Sequence, residues 1–266
     1  MNTFDRAVHE IRAIDDMACE DRWINRIHPL VKLLITVFYI AITVSFDKYD
    51  LSGLLGMAIY LIFIYGFGEL PVRDAFRRLW FILPLICAIG LPNPLFDHQY
   101  AAQIGGFTIT GGMISMLTLM LKGIFSVLAA YALVVTTGIT KICYALRLLH
   151  VPGILVTQIL LMYRYISLLL TEAGRIVQAY MLRAPGQNGI HHKAWGPLAG
   201  QLLLRSIERA EKIYKSMCLR GFNGEFYYGN NLRTTYMDYF YLAAWALLLI
   251  LFRCFPVFEF IGGIFT

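Results

Sequence analysis

The sequence predicts an all-α integral membrane protein, with about five transmembrane helices and long amphipathic coupling helices on the cytoplasmic side. Three observations carry that prediction. Of 266 residues, 58% are hydrophobic and only 15% charged, against roughly 25% charged in a soluble domain. Five apolar runs approach the roughly twenty residues that a helix needs to cross about 30 Å of hydrocarbon. The positive charge is gathered in a few stretches beside those runs, most of it in one block. Five single cysteines (Cys19, Cys87, Cys143, Cys218, Cys254), with no CxxC pair, suggest neither a disulfide framework nor a thiolate metal site.

Residues 1–27 are charged throughout and do not read as a secretory signal. Within them Val8, Ile11, Ile14 and Met17 or Ala18 recur every three or four positions. That spacing predicts an amphipathic helix, lying either in the membrane interface or on the protein's own cytoplasmic face. The apolar runs then fall at about 30–46, 51–68, 79–96, 112–137 and 236–262. Pro84, Pro92 and Pro94 interrupt the third, a kink that is tolerable where neighbouring helices or water satisfy the freed carbonyls. Lys122 and Arg253 lie inside the fourth and fifth runs. Charges there are costly in lipid, so they are expected to face the bundle interior or snorkel, either toward a partner or into a local pair.

Orientation follows from Lys and Arg, which favour the cytoplasmic side. Arg22, Arg26 and Lys32 precede or open the first run, Arg73, Arg77 and Arg78 lie between the second and third, and a basic block at 139–224 follows the fourth. The segments "FDKYD" and "DHQYAAQIGGFTIT" carry one Lys and no Arg. The chain is therefore expected to start inside, cross five times and end outside. Its organisation reads as 1–138 (interfacial helix and four spans), 139–232 (cytoplasmic coupling region) and 233–266 (last span). The stretch 139–224 holds eleven Lys or Arg against Glu172, Glu208 and Glu211, a net +8 in a chain whose total is +6.

In that block "TKICYALRLLHVPG" reads as a short helix stopped near Val151-Pro152. A longer helix follows from Ile154 to Arg183. It is apolar as far as Met162, but Arg164, Glu172 and Arg175 place it partly sunk at the interface. A third, "GPLAGQLLLRSIERAEKIYKSMCLRG", opens at Gly196-Pro197, with Pro in the first turn. It carries an apolar stripe of Leu203, Ile207, Ala210, Ile213 and Tyr214 and an i,i+4 pair, Glu208 with Lys212. Arg183 is followed by Ala184-Pro185-Gly186 and Arg220 by Gly221, so both arginines end helices. Capping the negative end of the helix dipole is one role for such a cation. Two copies in one basic block read better as a pair of knobs for a partner, since the planar guanidinium fork binds carboxylates or carbonyls in fixed geometry.

The stretch "LRSIERAEKIYKSMCLRGFNG", with "LLMYRYISLLLTEAGRIVQAYMLRA" upstream and "IHPLVKLL" before the first run, resembles the transmembrane coupling component of energy-coupling factor importers, closest to the CbiQ type of cobalt uptake systems. The likeness covers about residues 23–225. It is sharpest in the ordered set Arg205-Ser206, Glu208-Arg209-Ala210-Glu211, Met217 and Arg220-Gly221-Phe222. The resemblance implies a multi-pass protein of the bacterial or archaeal cytoplasmic membrane. It implies two Ala-Arg-Gly-like motifs that dock on two ABC-type ATPase subunits, here Leu182-Arg183-Ala184 and Leu219-Arg220-Gly221. Arg205, Glu208, Arg209 and Glu211 belong to the supporting coupling helix. Both motifs depart from strict Ala-Arg-Gly, with Leu before each Arg and Ala184 in place of Gly. It further implies a non-catalytic relay to a separate substrate-capturing membrane subunit, CbiM-like if the cargo is cobalt, with no catalytic residue, metal site or cofactor in this chain.

The residues leave other chemistry thin. Adjacent His191-His192 match no common ligand spacing, Asp15-Asp16 lack the further carboxylates of a diphosphate-binding Mg²⁺ site, and no P-loop is present. The basic block adjoins the bilayer, so lipid headgroups and not nucleic acid are its expected polyanion. Two alternatives stand beside the coupling component. One is a conventional ABC importer permease, whose coupling loop "TEAGRIVQA" faintly resembles; the other is a membrane-embedded transferase, which would need clustered cytoplasmic carboxylates.

Overall fold

Apolar runs long enough to close many backbone hydrogen bonds without water become helices here, and their ends are where charge is used. A computed structural model describes residues 3–96, 100–104, 107–184, 189–224 and 234–254. In chain order these form α1 (Thr3–Cys19), α2 (Trp23–Arg26), α3 (Pro29–Ser45), α4 (Leu51–Gly56), α5 (Ala58–Phe67), α6 (Val72–Gly90), α7 (Pro92–Phe96), β1 (Tyr100–Ile104), β2 (Phe107–Thr110), α8 (Gly111–Thr137), α9 (Ile139–Leu148), α10 (Gly153–Arg183), α11 (His192–Leu219) and α12 (Tyr236–Cys254). The fold is that of an all-α membrane protein, with one small hairpin. Two compact units divide the chain: Ala18–Gly138 with Leu232–Thr266, and Met1–Met17 with Ile139–Asn231.

Four stretches, Val72–Pro94, Gly111–Thr137, Gly153–Arg183 and Tyr236–Cys254, are long and apolar enough to cross a membrane; Pro29–Ser45 and Gly53–Phe67 are shorter apolar helices. Several boundaries differ from the sequence reading. The third run begins at Val72, so Arg73, Arg77 and Arg78 sit on the first turns of α6 and not in a loop. Ala75 and Leu79 are buried beneath those turns, and Arg78 stacks 4.8 Å over the Tyr131 ring. The second run is broken at Met57, where the Tyr39 hydroxyl donates to the Met57 carbonyl at 3.1 Å. The segment after α7 holds an antiparallel pair in which Ile104 faces Phe107. The last run is helical from Tyr236 to Cys254, and its remainder to 262 lies outside the described residues.

In the unit holding the apolar helices, α3 packs on α8 and α12. Tyr39 stacks on Tyr60 with centroids 4.5 Å apart, and Tyr60 meets Trp245 edge-on at 4.9 Å. Two buried threonine hydroxyls of α3 are satisfied within the helix: Thr36 donates to the Lys32 carbonyl at 2.9 Å and Thr43 to that of Tyr39 at 2.8 Å. Such back-bonding removes the cost of an unpaired buried hydroxyl.

The helix ends show a recurrent device. A helix leaves its last carbonyls without internal donors, and that end carries the negative pole of the helix dipole. In α3 the carbonyls of Val44 and Phe46 accept from Lys122 of α8, and that of Ser45 accepts from Arg253 of α12 at 3.2 Å. The Arg253 guanidinium also stacks 4.9 Å over the Phe46 ring. These two cations, costly in lipid if bare, are thus local helix caps. Arg22 caps the end of α5 in the same way, donating to the carbonyls of Gly68 and Glu69 at 2.8 and 2.7 Å. Buried Lys32 donates to the Thr136 carbonyl at the end of α8 at 2.9 Å.

The "IHPLVKLL" stretch is therefore a start signal with a cap attached. His28 is the N-cap of α3 and its Nδ1 accepts from the Leu30 amide at 3.3 Å, with Pro29 in the first turn and Lys32 reaching α8. The His28 amide donates to Asp238 Oδ1 at 2.9 Å, and Asp238 Oδ2 accepts from the Thr235 amide at 2.8 Å. One buried carboxylate thereby fixes the start of α12 and ties it to the start of α3.

Candidate coupling surface

The second unit is built on α10, 31 residues and about 46 Å long. Along it, α1 runs antiparallel: the Tyr163 hydroxyl donates to Asp15 Oδ1 at 2.7 Å, and Phe4 packs over Gly174. A Cβ at Gly174 would stand 3.3 Å from the Phe4 Cβ, tighter than most real contacts. The amphipathic helix of the N-terminus thus lies on protein, and Asp15 is a hydrogen-bond partner of Tyr163. Ahead of α10, α9 ends with His150 in the left-handed region at φ 64. The amides of His150 and Val151 there reach back to the carbonyls of Arg147 and Leu146 at 3.0 and 3.2 Å.

The chain returns from α10 as α11, and the two helices form an antiparallel hairpin. Their closest polar contact is Glu172, whose side chain is 14% exposed and which pairs with Arg205 of α11 and, at 3.7 Å, with Arg175 of its own helix. α11 opens one turn earlier than Gly196-Pro197 implies, because His191 caps it: its Nδ1 accepts from the Lys193 amide at 3.3 Å. Pro197 therefore sits inside the helix, where it removes one backbone donor. Glu208 and Lys212, spaced for an ion pair, form none among the described residues. The few tenths of a kcal/mol such a pair gains on a wet surface do not hold two long side chains together. No residue of α11 is buried, and Leu203, Leu204 and Tyr214 are each about 60% exposed or more.

Both arginine motifs are exposed ends of this hairpin, but they end differently. Arg220 is the C-cap of α11, followed by Gly221 at φ 83. The Phe222 amide donates to the Met217 carbonyl and the Gly221 amide to that of Cys218, both at 3.0 Å. This is the paired 6→1 and 5→2 closure that needs a left-handed residue at the position Gly221 fills. Arg183 is the last residue of α10, and Ala184 caps it at φ −124, with its amide on the Tyr180 carbonyl at 3.2 Å. That backbone suits any residue, which accounts for Ala where the family-like pattern has Gly. Pro185 and Gly186 lie outside the described residues.

Counted from the Glu172–Arg205 contact, Arg183 lies eleven residues onward along α10 and Arg220 fifteen onward along α11. At 1.5 Å per residue these are about 17 and 23 Å in opposite directions. The tips therefore stand far apart, at opposite ends of the hairpin. Leu182 and Leu219, each preceding its arginine, are 76% and 90% exposed, so each tip presents an apolar side chain beside a cation. Arg205, Glu208, Arg209 and Glu211 are all exposed on the helix between the tips. The sequence gives no signal for the Glu172–Arg205 pair, whose partners are 33 residues apart, nor for Tyr163 with Asp15. Among the described residues no three His, Cys, Asp or Glu side chains gather as a metal site.

Residues 20–228 match the family model described as CbiQ, cobalt transport protein. The chain belongs to this family. A CbiQ-family chain of this kind is a multi-pass transmembrane component of an energy-coupling factor transporter, and the similarities agree. It is 25% identical over 219 residues to the energy-coupling factor transporter transmembrane protein EcfT of Bacillus subtilis, covering 76% of this chain and 81% of that one. It is 29% identical over 117 residues to the nickel permease LarQ of Lactiplantibacillus plantarum, 44% of this chain and 43% of that protein. An uncharacterized protein of Methanocaldococcus jannaschii is 25% identical over 213 residues, 76% of this chain and 72% of its own.

Proposed function

We propose that this chain is the non-catalytic relay of its importer, with Leu182-Arg183-Ala184 and Leu219-Arg220-Gly221 each docking on one of two ABC-type ATPase subunits. The observation that carries the reading is the placement of two exposed arginine tips at opposite ends of one helical hairpin. Tips about 40 Å apart reach two separate receptors, not one pocket. Closure of two ATPase subunits on ATP would then move the two ends of a single lever. An interaction of equal strength in open and closed states would shift nothing, so each tip must bind one ATPase conformation more tightly. The lever works on a separate substrate-capturing membrane subunit, CbiM-like for cobalt. We take cobalt as the cargo of the assembled importer, on the family's description; the LarQ similarity makes nickel the alternative. We place the N-terminus and the α10/α11 hairpin on the cytoplasmic side, on the strength of the basic block.

The test is co-purification of the full chain with its ATPase subunits. Arg183→Glu and Arg220→Glu together are expected to abolish ATPase retention while helicity is kept, and each alone to leave a complex with one ATPase subunit. Full retention by the double variant overturns the docking role. Uptake of radioactive cobalt against nickel by cells expressing the whole importer assigns the cargo.

A further inference from the structure

Two cavities lie between α10 and α11 and run into each other. One is an apolar groove of about 620 Å³, whose walls include Leu161 and Met162 of α10 and Ala210, Ile213 and Met217 of α11. That size falls within the roughly 300–1,000 Å³ of ligand clefts. The other is a notch of about 330 Å³ walled by Glu172, Arg205, Glu208, Arg209 and Lys212. Leu169, Ser206 and Arg209 line both, so the apolar and polar spaces share a boundary.

The charges in the notch do not cancel. Glu172 is committed to Arg205 and Arg175. Arg209 and Lys212 have no ion pair among the described residues and face one remaining carboxylate, Glu208. The notch therefore carries a net positive charge with uncommitted donors, and it opens onto a greasy trough on a helix long and apolar enough to cross a membrane. We infer that α10 and α11 bind one anionic phospholipid, its phosphodiester headgroup on Arg209 and Lys212 and an acyl chain along the groove. The match is of charge and of polarity order. A phosphodiester offers one negative charge and acceptor oxygens to a guanidinium and an ammonium, and the chain attached to it is the apolar body that the adjoining groove would cover. The charged notch lies between the two arginine tips, and the apolar groove runs on to Met217 and Phe222 beside Arg220.

The experiment is native mass spectrometry of the full chain in detergent, titrated with phosphatidylglycerol or phosphatidylcholine. One phosphatidylglycerol is expected to stay bound through activation, and phosphatidylcholine to leave. Arg209→Gln with Lys212→Gln should weaken phosphatidylglycerol retention by at least about tenfold, from roughly fivefold per charge removed near an anionic surface. Ala210→Trp, which fills the groove and leaves the charges, should weaken it as well. Circular dichroism reports that each variant is folded. Equal retention of the two lipids overturns the proposal. So does indifference to the charge variant, competition by inorganic phosphate as effective as by lipid, or a co-purifying protein helix that fills the groove and leaves no lipid-dependent signal.

Discussion

Gly221 separates what the fold needs from what a partner needs. Its φ of 83 lies in the left-handed region, and a Cβ built there meets nothing within 4 Å. An alanine would thus pay only the backbone penalty, about 1–2 kcal/mol for an L-residue in this conformation. That cost falls on the two hydrogen bonds from Gly221 and Phe222 to Cys218 and Met217, both 3.0 Å long. It predicts that the amides of Gly221 and Phe222 exchange with deuterium about 5–30-fold faster in Gly221→Ala, while those in the middle of α11 do not change. Gly221→Asn should fall between, because Asn tolerates the left-handed region better than Ala. Hydrogen exchange with mass spectrometry in detergent reads both. Unchanged protection in Gly221→Ala would refute the reasoning that helix-end geometry selects this glycine. If Gly221→Asn keeps its protection and still loses ATPase subunits, the glycine also admits the close approach of a partner.

Removing the helix-capping cations should destabilise the apolar unit. Lys122→Met strands the Val44 and Phe46 carbonyls and should cost about 2–3 kcal/mol, with Arg253→Met costing less, both seen as lowered thermal midpoints in detergent. Because both caps serve the same end of α3, the double variant should deviate from additivity by at least about 0.5 kcal/mol. Asp238→Asn loses the charge that the His28 and Thr235 amides share, and should lower the midpoint by an amount equivalent to about 1–3 kcal/mol. Tyr163→Phe should loosen α1 from α10 by about 1 kcal/mol, read as faster amide exchange in α1.

The turn before α3 carries a pH signature. Arg26 donates to both oxygens of Asp21 at 2.8 and 2.7 Å and holds that carboxyl below its ordinary value. A depressed carboxyl contributes stability above its unfolded pKa and loses it as pH falls through the folded one. Protection of the amides around residues 20–27 should therefore hold at neutral pH and fall in the acid range below the ordinary carboxylate pKa. Asp21→Asn should remove that dependence.

The long apolar runs gave themselves away because length and hydrophobicity are local properties. α3, α8 and α12 follow their runs closely, and the helix ends at Arg183 and Arg220 were visible from the small residues after them. The hairpin after α7 has a local signal, a Gly-Gly pair between "YAAQI" and the wholly aromatic and β-branched "FTIT". The early start of α6 was hidden because three arginines read as a loop, although Val72, Ala75, Phe76 and Leu79 already keep helical spacing. The cation caps were not legible, because Lys122 meets residues 44–46 across 76 positions or more and no sequence period encodes such a meeting. The same holds for Glu172 with Arg205, which decides where α10 and α11 touch.

The way α3 is finished bears on the order in which the protein can be made. Its last carbonyls emerge from the ribosome near residue 45, yet the donors that occupy them belong to residues 122 and 253. The carbonyls of Val44 and Phe46 must therefore wait for α8 and that of Ser45 for α12, each open to water or headgroups until its donor arrives. Quality control that senses unfinished polar ends would find this one closed in two stages, the Ser45 carbonyl last.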